Sequence, residues 1–249
     1  MLTLITPLQW ACLVLGAAGI GFSKAGFPGV SMLHVVLFAF VFGAMPSTGV
    51  LLPMLVVGDC CAIHFFGREA NWRHVRRLLP PTIGGILIGW MMMDRLDSDQ
   101  FKWIVGGIIL SLCVVQFVRT YRPDWFGHVP HQTWFAVVLG LLAGVTTMLA
   151  NAAGPVVALY MLAVALPKWE LIGTSAWLFL VLNVLKLPLS FNLGLITGST
   201  LLIGAILVPA IPLGMLAGRW LVGRVSQKWF NLILLGFTAI AAIRLIGWI

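Results

Sequence analysis

Two stretches of sequence decide the architecture: GIGFSKAGFPG at residues 19–29 and TTMLANAAGP at residues 146–155. Each stretch interrupts an apolar run with glycine or proline and adds polar side chains. Glycine admits unusual backbone angles and proline lacks a backbone donor, so both stretches predict broken helices. Within a membrane, broken backbone is tolerated where it is buried in protein or lines a cavity. The two breaks are therefore the first candidates for a binding site.

The surrounding composition is that of an integral membrane protein. Hydrophobic residues make up 61% of the 249-residue chain and charged residues 9%, whereas soluble domains are about half apolar and a quarter charged. The net charge of +8 does not indicate nucleic-acid binding, because the few basic residues flank apolar runs, where they set membrane topology. The 4 cysteines lie in apolar stretches without metal-ligand or disulfide spacing, so we predict no metal and no cofactor.

The apolar runs predict about ten membrane segments, since a spanning helix needs roughly 20 residues. The second segment of each half is short, and we expect it to form a broken or re-entrant helical hairpin with the first. The predicted segments are residues 5–22, 30–44, 47–66, 78–94, 101–119, 132–148, 155–166, 171–191, 199–221 and 229–248.

The two halves of the chain are related in sequence. An offset of 124 positions aligns Gly49 with Gly173 and Asp59 with Asn183. The order of such matches, together with the matching segment lengths, indicates an internal duplication. The predicted units are a first membrane repeat at residues 1–120, a cytoplasmic linker at 121–131 and a second membrane repeat at 132–249.

The loop charges indicate that the two repeats are inverted. The 67–77 loop holds four arginines, whereas its counterpart at 192–199 holds no charge. The 94–100 loop carries three aspartates against one arginine, whereas its counterpart at 222–228 is basic. Positive loops stay in the cytoplasm, so equivalent loops face opposite sides. We therefore predict an all-α polytopic membrane protein with two inverted-topology repeats of about five segments each, as in many secondary transporters.

The breaks supply the candidate residues for binding an anion. A helix N-terminus at a break presents N–H groups and a positive dipole end, and Lys24 adds a full charge. The alternative is that both breaks are ordinary turns between packed spans, with Lys24 reaching to a membrane interface. The predicted substrate-binding residues are Ser23, Lys24, Gly26, Gly29, Ser31, Thr146, Thr147, Asn151, Gly154 and Lys186.

Ionisable residues deep inside apolar segments form a second group of candidates. Asp59 and Lys186 fall within the third and eighth segments, where charged groups are costly and mark functional sites. Asn183, the repeat counterpart of Asp59, lies three residues before Lys186. One interpretation has Lys186 binding substrate charge and Asp59 carrying a proton, with Asp59 and Asn183 in coupling or gating. The other places Asp59 in a structural ion pair with Lys186 or Lys24.

His34 and His64 also lie in apolar surroundings. A lone histidine there is usually a packing residue, and we interpret both in this way, with a ligand role as the alternative. Glycines spaced four residues apart permit close helix packing, which we expect inside the monomer. These glycines are Gly85 and Gly89, Gly140 and Gly144, and Gly214 and Gly218.

The whole chain resembles the TauE/SafE family of membrane transporters, also called sulfite or sulfonate exporters. The resemblance rests on the glycine-rich first segment that ends in GFPG at 26–29, on the loop GREANWR at 67–73, and on NAAGP at 151–155. Many members carry a run of glycines where this chain has Ser23 and Lys24. The lysine adds positive charge to the break and favours an anionic ligand.

The resemblance implies transport of small anions such as sulfite and sulfoacetate. We expect a secondary transporter that exports a small anion, either one of these or a related carboxylate, across the bacterial cytoplasmic membrane by alternating access. A passive anion channel is the alternative. An intramembrane enzyme is not expected, because neither a metalloprotease nor a serine-hydrolase motif is present. The expected partners are the anion, the lipid bilayer and a coupling proton; the oligomeric state stays open, a homodimer included.

Overall fold

The computed structural model describes residues 5–27, 29–122, 133–221, 238–240 and 243. This part of the chain is all-helical and contains no strand. The helices are α1 (Pro7–Lys24), α2 (Val30–Phe42), α3 (Ala44–Phe66), α4 (Trp72–Met93), α5 (Ser98–Tyr121), α6 (Thr133–Ala150), α7 (Gly154–Ala163), α8 (Lys168–Asn192), α9 (Gly198–Leu207) and α10 (Ala210–Leu221), with a short 3₁₀ helix at Gly67–Glu69.

Several of these helices are long and apolar enough to cross a bilayer. In the described residues, 4 helices meet that condition, namely α3 with its 3₁₀ extension, α5, α6 and α8. The bent pair of α9 and α10 makes a fifth if it is counted as one span. Large apolar side chains are exposed along the outside, as lipid contact requires; they include Leu15, Phe40, Trp103, Val114, Phe191 and Leu213. The chain is a multi-pass membrane protein.

The helices follow the predicted segments with two differences. The predicted segment 199–221 corresponds to two helices, α9 and α10, which meet at an angle of 42° and together pass as one bent span. Pro209 lies at the bend and has no N–H to continue the helix. Helix α4 begins at Trp72, six residues before the predicted start at 78. The apolar pattern missed its first turns because they carry arginines. The tenth predicted segment, 229–248, lies almost entirely outside the described residues.

The first two helices form a hairpin, as the short second segment led us to expect. Gly16 of α1 packs against Phe38 of α2, and Gly19 packs against Val30 and His34. The pairing runs in opposite directions along the two helices, so they are antiparallel. Helix α2 has 13 residues and α7 has 10, both shorter than the roughly 20 residues of a full span.

Helices α3 and α8 pack against each other in opposite directions at the centre of the described structure. Gly49 near the start of α3 meets the backbone of Leu195 just beyond α8, and Gly173 near the start of α8 meets the backbone of Phe66 at the end of α3. A side chain at either glycine would collide with that backbone. The two helices therefore come into close contact near both ends.

The spaced glycines pack helices together inside the monomer, which confirms the prediction. A Cβ atom on Gly85 of α4 would lie 2.9 Å from the Cα atom of Gly144 in α6. Gly214 of α10 meets the backbone of Ala18 in α1 in the same manner. In both helix pairs, α4 with α6 and α1 with α10, the glycines allow the two helix backbones to come into contact.

Basic residues gather at one end of the described helices. Asn71 follows the arginine-bearing 3₁₀ helix, and its backbone N–H donates a hydrogen bond to Thr174 Oγ1 over 2.9 Å. Arg77 Nη2 donates to Thr133 Oγ1 at 3.4 Å, which places the start of α6 at this end as well. The loop 67–77 and the start of α8, with Lys168, thus lie on the same side. Loop 222–228 lies outside the described residues.

Candidate functional site

A cavity lies between the two helix breaks and against helix α8. Its volume is about 80 Å³, several times the roughly 10–15 Å³ that a single water molecule needs on this scale. The polar side chains in its wall are Ser23, Lys24, Ser31, His34, Thr147, Asn151, Ser175 and Asn183. The cavity suits a small polar solute.

The first break carries α1 into α2 at the cavity wall. Helix α1 ends at Lys24, and the chain turns through Gly26, whose φ of 113° is a conformation that favours glycine. Ser23 Oγ donates to the backbone oxygen of Ile20 at 2.8 Å. Gly26 and Ser31 both line the cavity, so the N-terminal end of α2, with its positive partial charge, lies beside it.

The second break joins α6 to α7 at the opposite part of the wall. Asn151 has a φ of 51°, a left-handed conformation that asparagine tolerates better than most residues. Its Nδ2 atom donates to the backbone oxygen of Thr48 at 3.2 Å, which ties the break to α3. Helix α7 begins at Gly154, a cavity-lining residue. Two short helices therefore begin at the same cavity.

Asp59 is fully buried and has two polar partners. Lys24 Nζ forms an ion pair with Asp59 Oδ1, and Asn183 Nδ2 donates to Asp59 Oδ2 at 2.7 Å. Of the ion pairs considered from sequence, the structure thus contains the one between Asp59 and Lys24. The side chain of Lys24 is 12% exposed, so the cation lies at the cavity while its counter-ion lies behind the wall.

Lys186 is buried and donates to three oxygen atoms. Its Nζ atom lies 2.6 Å from Asn151 Oδ1, 3.1 Å from Thr147 Oγ1 and 3.2 Å from Asn183 Oδ1. The three bonds match the three donors of an ammonium group. Lys186 therefore connects the second break to α8, and through Asn183 it is linked to the ion pair on α3.

The structure brings most of the predicted site residues to the cavity wall. Those that line it are Ser23, Lys24, Gly26, Ser31, Thr147, Asn151, Gly154 and Asn183. Gly29 and Thr146 are not in the wall, and Thr146 Oγ1 donates to the backbone oxygen of Leu142 at 2.8 Å. Asp59 and Lys186 lie directly behind the wall and reach it through hydrogen bonds.

Several wall residues on α8 were not singled out from sequence, and Phe179 and Ser175 are two of them. Phe179 places its ring centroid 4.6 Å from Lys24 Nζ, a cation–π contact. Ser175 lies one turn before it in the wall. Residues 175, 179 and 183 are spaced by four, so they share one helix face with Asn183. That spacing is the sequence signal that could have identified them.

His34 differs from the expectation of an ordinary packing residue. It is buried at 1% exposure and lies in the cavity wall, and neither ring nitrogen has a hydrogen-bond partner. No group of three or more His, Cys, Asp or Glu residues that could hold a metal ion occurs in the described ranges.

The fold is a multi-pass helical bundle with two helix breaks around a small cavity that has Lys24 in its wall, an arrangement typical of membrane transport proteins. The model of the family "Sulfite exporter TauE/SafE" matches residues 11–245. The chain belongs to this family, whose members are transporters of sulfite and related anions. Searches among curated proteins and among solved structures found no match to this chain.

Proposed function

We propose that this protein is a secondary transporter that moves a small anion across the bacterial cytoplasmic membrane by alternating access, in the direction of export. The substrate is sulfite, an organosulfonate such as sulfoacetate, or a related small carboxylate. The observation that carries the proposal is the small cavity between two helix breaks, with Lys24 in its wall and two helix N-termini beside it.

The charges around the cavity favour an anion. Lys24 and Lys186 carry two positive charges, and Asp59 carries one negative charge, which leaves an excess of one positive charge when all three are ionised. A buried charge without compensation is costly, so a small anion in the cavity offsets the excess positive charge. The N-terminal ends of α2 and α7 add favourable partial charge.

We assign substrate binding to the predicted residues in the wall and coupling or gating to Asp59 and Asn183. These two residues join the cation at the cavity to the Lys186 network, so a change at one break reaches the other through them. Export of an anion from a cell with a negative interior is electrically downhill by about 2.3 kcal/mol per charge per 100 mV. An exporter therefore needs no counter-ion, whereas uptake needs a cation such as the proton that Asp59 could carry.

Alternating access rests on two inverted repeats, at residues 1–120 and 132–249, joined by the linker at 121–131. Three features support this arrangement. Helices α3 and α8 are antiparallel, the α4–α6 contact has a counterpart in the contact of α10 with α1, and the aligned residues Asp59 and Asn183 contact each other. In transporters built from inverted repeats, one repeat rocks against the other around a site between them.

Ligand-induced thermal stabilisation of the purified protein tests the assignment. A ligand that binds the folded state raises the melting temperature, and the rise grows with the logarithm of the ligand concentration relative to its dissociation constant. We expect sulfite, sulfoacetate and acetate to give graded stabilisation, and a cation series with a common counter-ion to give none. Equal melting temperatures with every anion and without any of them would contradict the proposal.

A further inference from the structure

The imidazole of His34 is a polar group inside the described structure without a hydrogen-bond partner. It lies on α2, one turn after Ser31, on the side that faces the cavity. Gly19 of α1 packs against its Cβ atom, and the backbone of Gly19 approaches the ring without meeting hydrogen-bond geometry. Both ring nitrogens are buried.

A buried imidazole without a hydrogen-bond partner needs a physical explanation. Buried side-chain polar atoms are paired in the large majority of cases, because an unpaired donor or acceptor loses its hydration without compensation. A leucine at position 34 would avoid that loss. The side chain of His34 lies in the wall of the same cavity as Lys24. A ligand in this cavity therefore lies next to His34 and can supply the missing hydrogen-bond partner.

We propose that His34 is a substrate-binding residue, whose ring donates a hydrogen bond to an oxygen atom of the anion in the cavity. This inference rests on the proposed transport function and deepens it. A neutral imidazole offers one donor and one acceptor, and a further cation buried beside Lys24 would be costly. Lys24 therefore supplies charge, and His34 supplies a directed hydrogen bond without charge.

The division of roles defines a class of ligand. Lys24 belongs to α1 and His34 to α2, so the two groups approach the cavity from different helices. An oxyanion can place different oxygen atoms against the two groups, whereas a halide must bring one atom within reach of both. The site consequently selects small oxyanions, including sulfite and sulfonates, over chloride.

The test uses the purified full chain in detergent, with sodium sulfite, sodium sulfoacetate and sodium chloride as probes and thermal unfolding as the readout. Without added anion, His34→Leu should melt at a higher temperature than the wild type, because two unpaired polar atoms are removed. Its sulfite affinity should fall at least about tenfold, the usual effect of losing a hydrogen bond to a charged group. His34→Gln keeps a donor and should recover part of the affinity.

His64→Leu is the matched control, because His64 is an exposed residue of α3 outside the cavity wall. It should leave the sulfite affinity unchanged. If His34→Leu does not fold, His34→Met, which also lacks a donor, takes its place in the comparison.

Two results would overturn the role of His34 alone: wild-type sulfite affinity in the donor-free variant, or equal stabilisation of the wild type by chloride and sulfite. A wild type that none of the three anions stabilises would contradict the transport proposal, and the inference on His34 with it.

Discussion

Asn183 and Asp59, which lie 124 positions apart, contact each other where α3 and α8 pack together, with Asn183 Nδ2 donating to Asp59 Oδ2 over 2.7 Å. The same two residues are equivalent in the alignment of the two halves of the sequence. In a molecule with a two-fold axis, equivalent residues meet each other only on that axis. The contact therefore supports an axis that passes between α3 and α8.

Removing the charge of Asp59 tests the ion pair with Lys24. Asp59→Asn keeps the shape of the side chain and leaves Lys24 without its counter-ion. We expect the free energy of unfolding to fall by about 3–5 kcal/mol, the usual effect of breaking a buried pair. Adding Lys24→Gln should restore most of the loss, since no unpaired cation remains. Denaturation of the single and double variants in detergent measures both effects, and an unchanged single variant would exclude the ion pair as a stabilising contact.

The single variant Asp59→Asn tests the coupling role of Asp59, because it keeps Lys24 at the cavity. If Asp59 carries a proton during transport, Asp59→Asn should still bind the anion and should lose the dependence of anion flux on a pH gradient. A flux that still responds to the gradient in proteoliposomes would leave Asp59 as a structural counter-charge.

Two substitutions of Asn151 separate the effect of backbone strain from the effect of lost hydrogen bonds. Both Asn151→Gly and Asn151→Ala remove the bonds to Lys186 and to the backbone of Thr48. Both replacements must adopt the positive φ of 51° at this position. Glycine does so without strain, whereas the Cβ atom of alanine makes this conformation cost about 1–2 kcal/mol. We expect the alanine variant to be less stable than the glycine variant by about that amount. Equal stabilities in denaturant titrations would show that the break relaxes when its hydrogen bonds are lost.

The glycine contact between α4 and α6 predicts a large effect from one methyl group. A Cβ atom on Gly85 would collide with the backbone of Leu141 and Gly144, so Gly85→Ala should destabilise the protein by about 1–3 kcal/mol or more. Gly107→Ala is the control, because no described atom lies within 4 Å of a Cβ atom there. That change should be neutral or stabilising by up to about 1 kcal/mol, the gain in helix propensity. Similar melting temperatures of the two variants would contradict the tight packing.

Sequence reasoning located the breaks and most of the wall, because glycine, proline and buried polar residues leave a visible mark on an apolar sequence. It could not decide which lysine pairs with Asp59, since that depends on how α1 approaches α3. The bend at Pro209 was not predicted either. Proline is not a sufficient signal for a bend, because Pro80 and Pro81 lie within the continuous helix α4. The four-residue spacing places Phe179 on the same helix face as Asn183. Its contact with Lys24 could not be predicted, because that contact depends on how α1 approaches α8.

The loop charges predict the orientation in the membrane. Single cysteines placed in 67–77 and 222–228 should be labelled from the cytoplasm, and those in 94–100 and 192–199 from outside, because basic loops remain inside. The native cysteines are replaced first, since Cys60 is exposed. Labelling of 67–77 and 192–199 from the same side in intact cells would rule out inverted repeats.

The most direct measurement of the central claim is sulfite flux into proteoliposomes that contain the wild type, Lys24→Arg or Lys24→Ala. A transporter that binds its anion beside Lys24 should show saturable flux, reduced at least about tenfold by loss of the charge. Lys24→Arg should keep part of the flux, because the charge survives with altered geometry. Lys102→Ala, which removes an exposed lysine paired with Asp99, should match the wild type. Flux that rises linearly without saturation, or equal flux in the wild type and Lys24→Ala, would contradict the account.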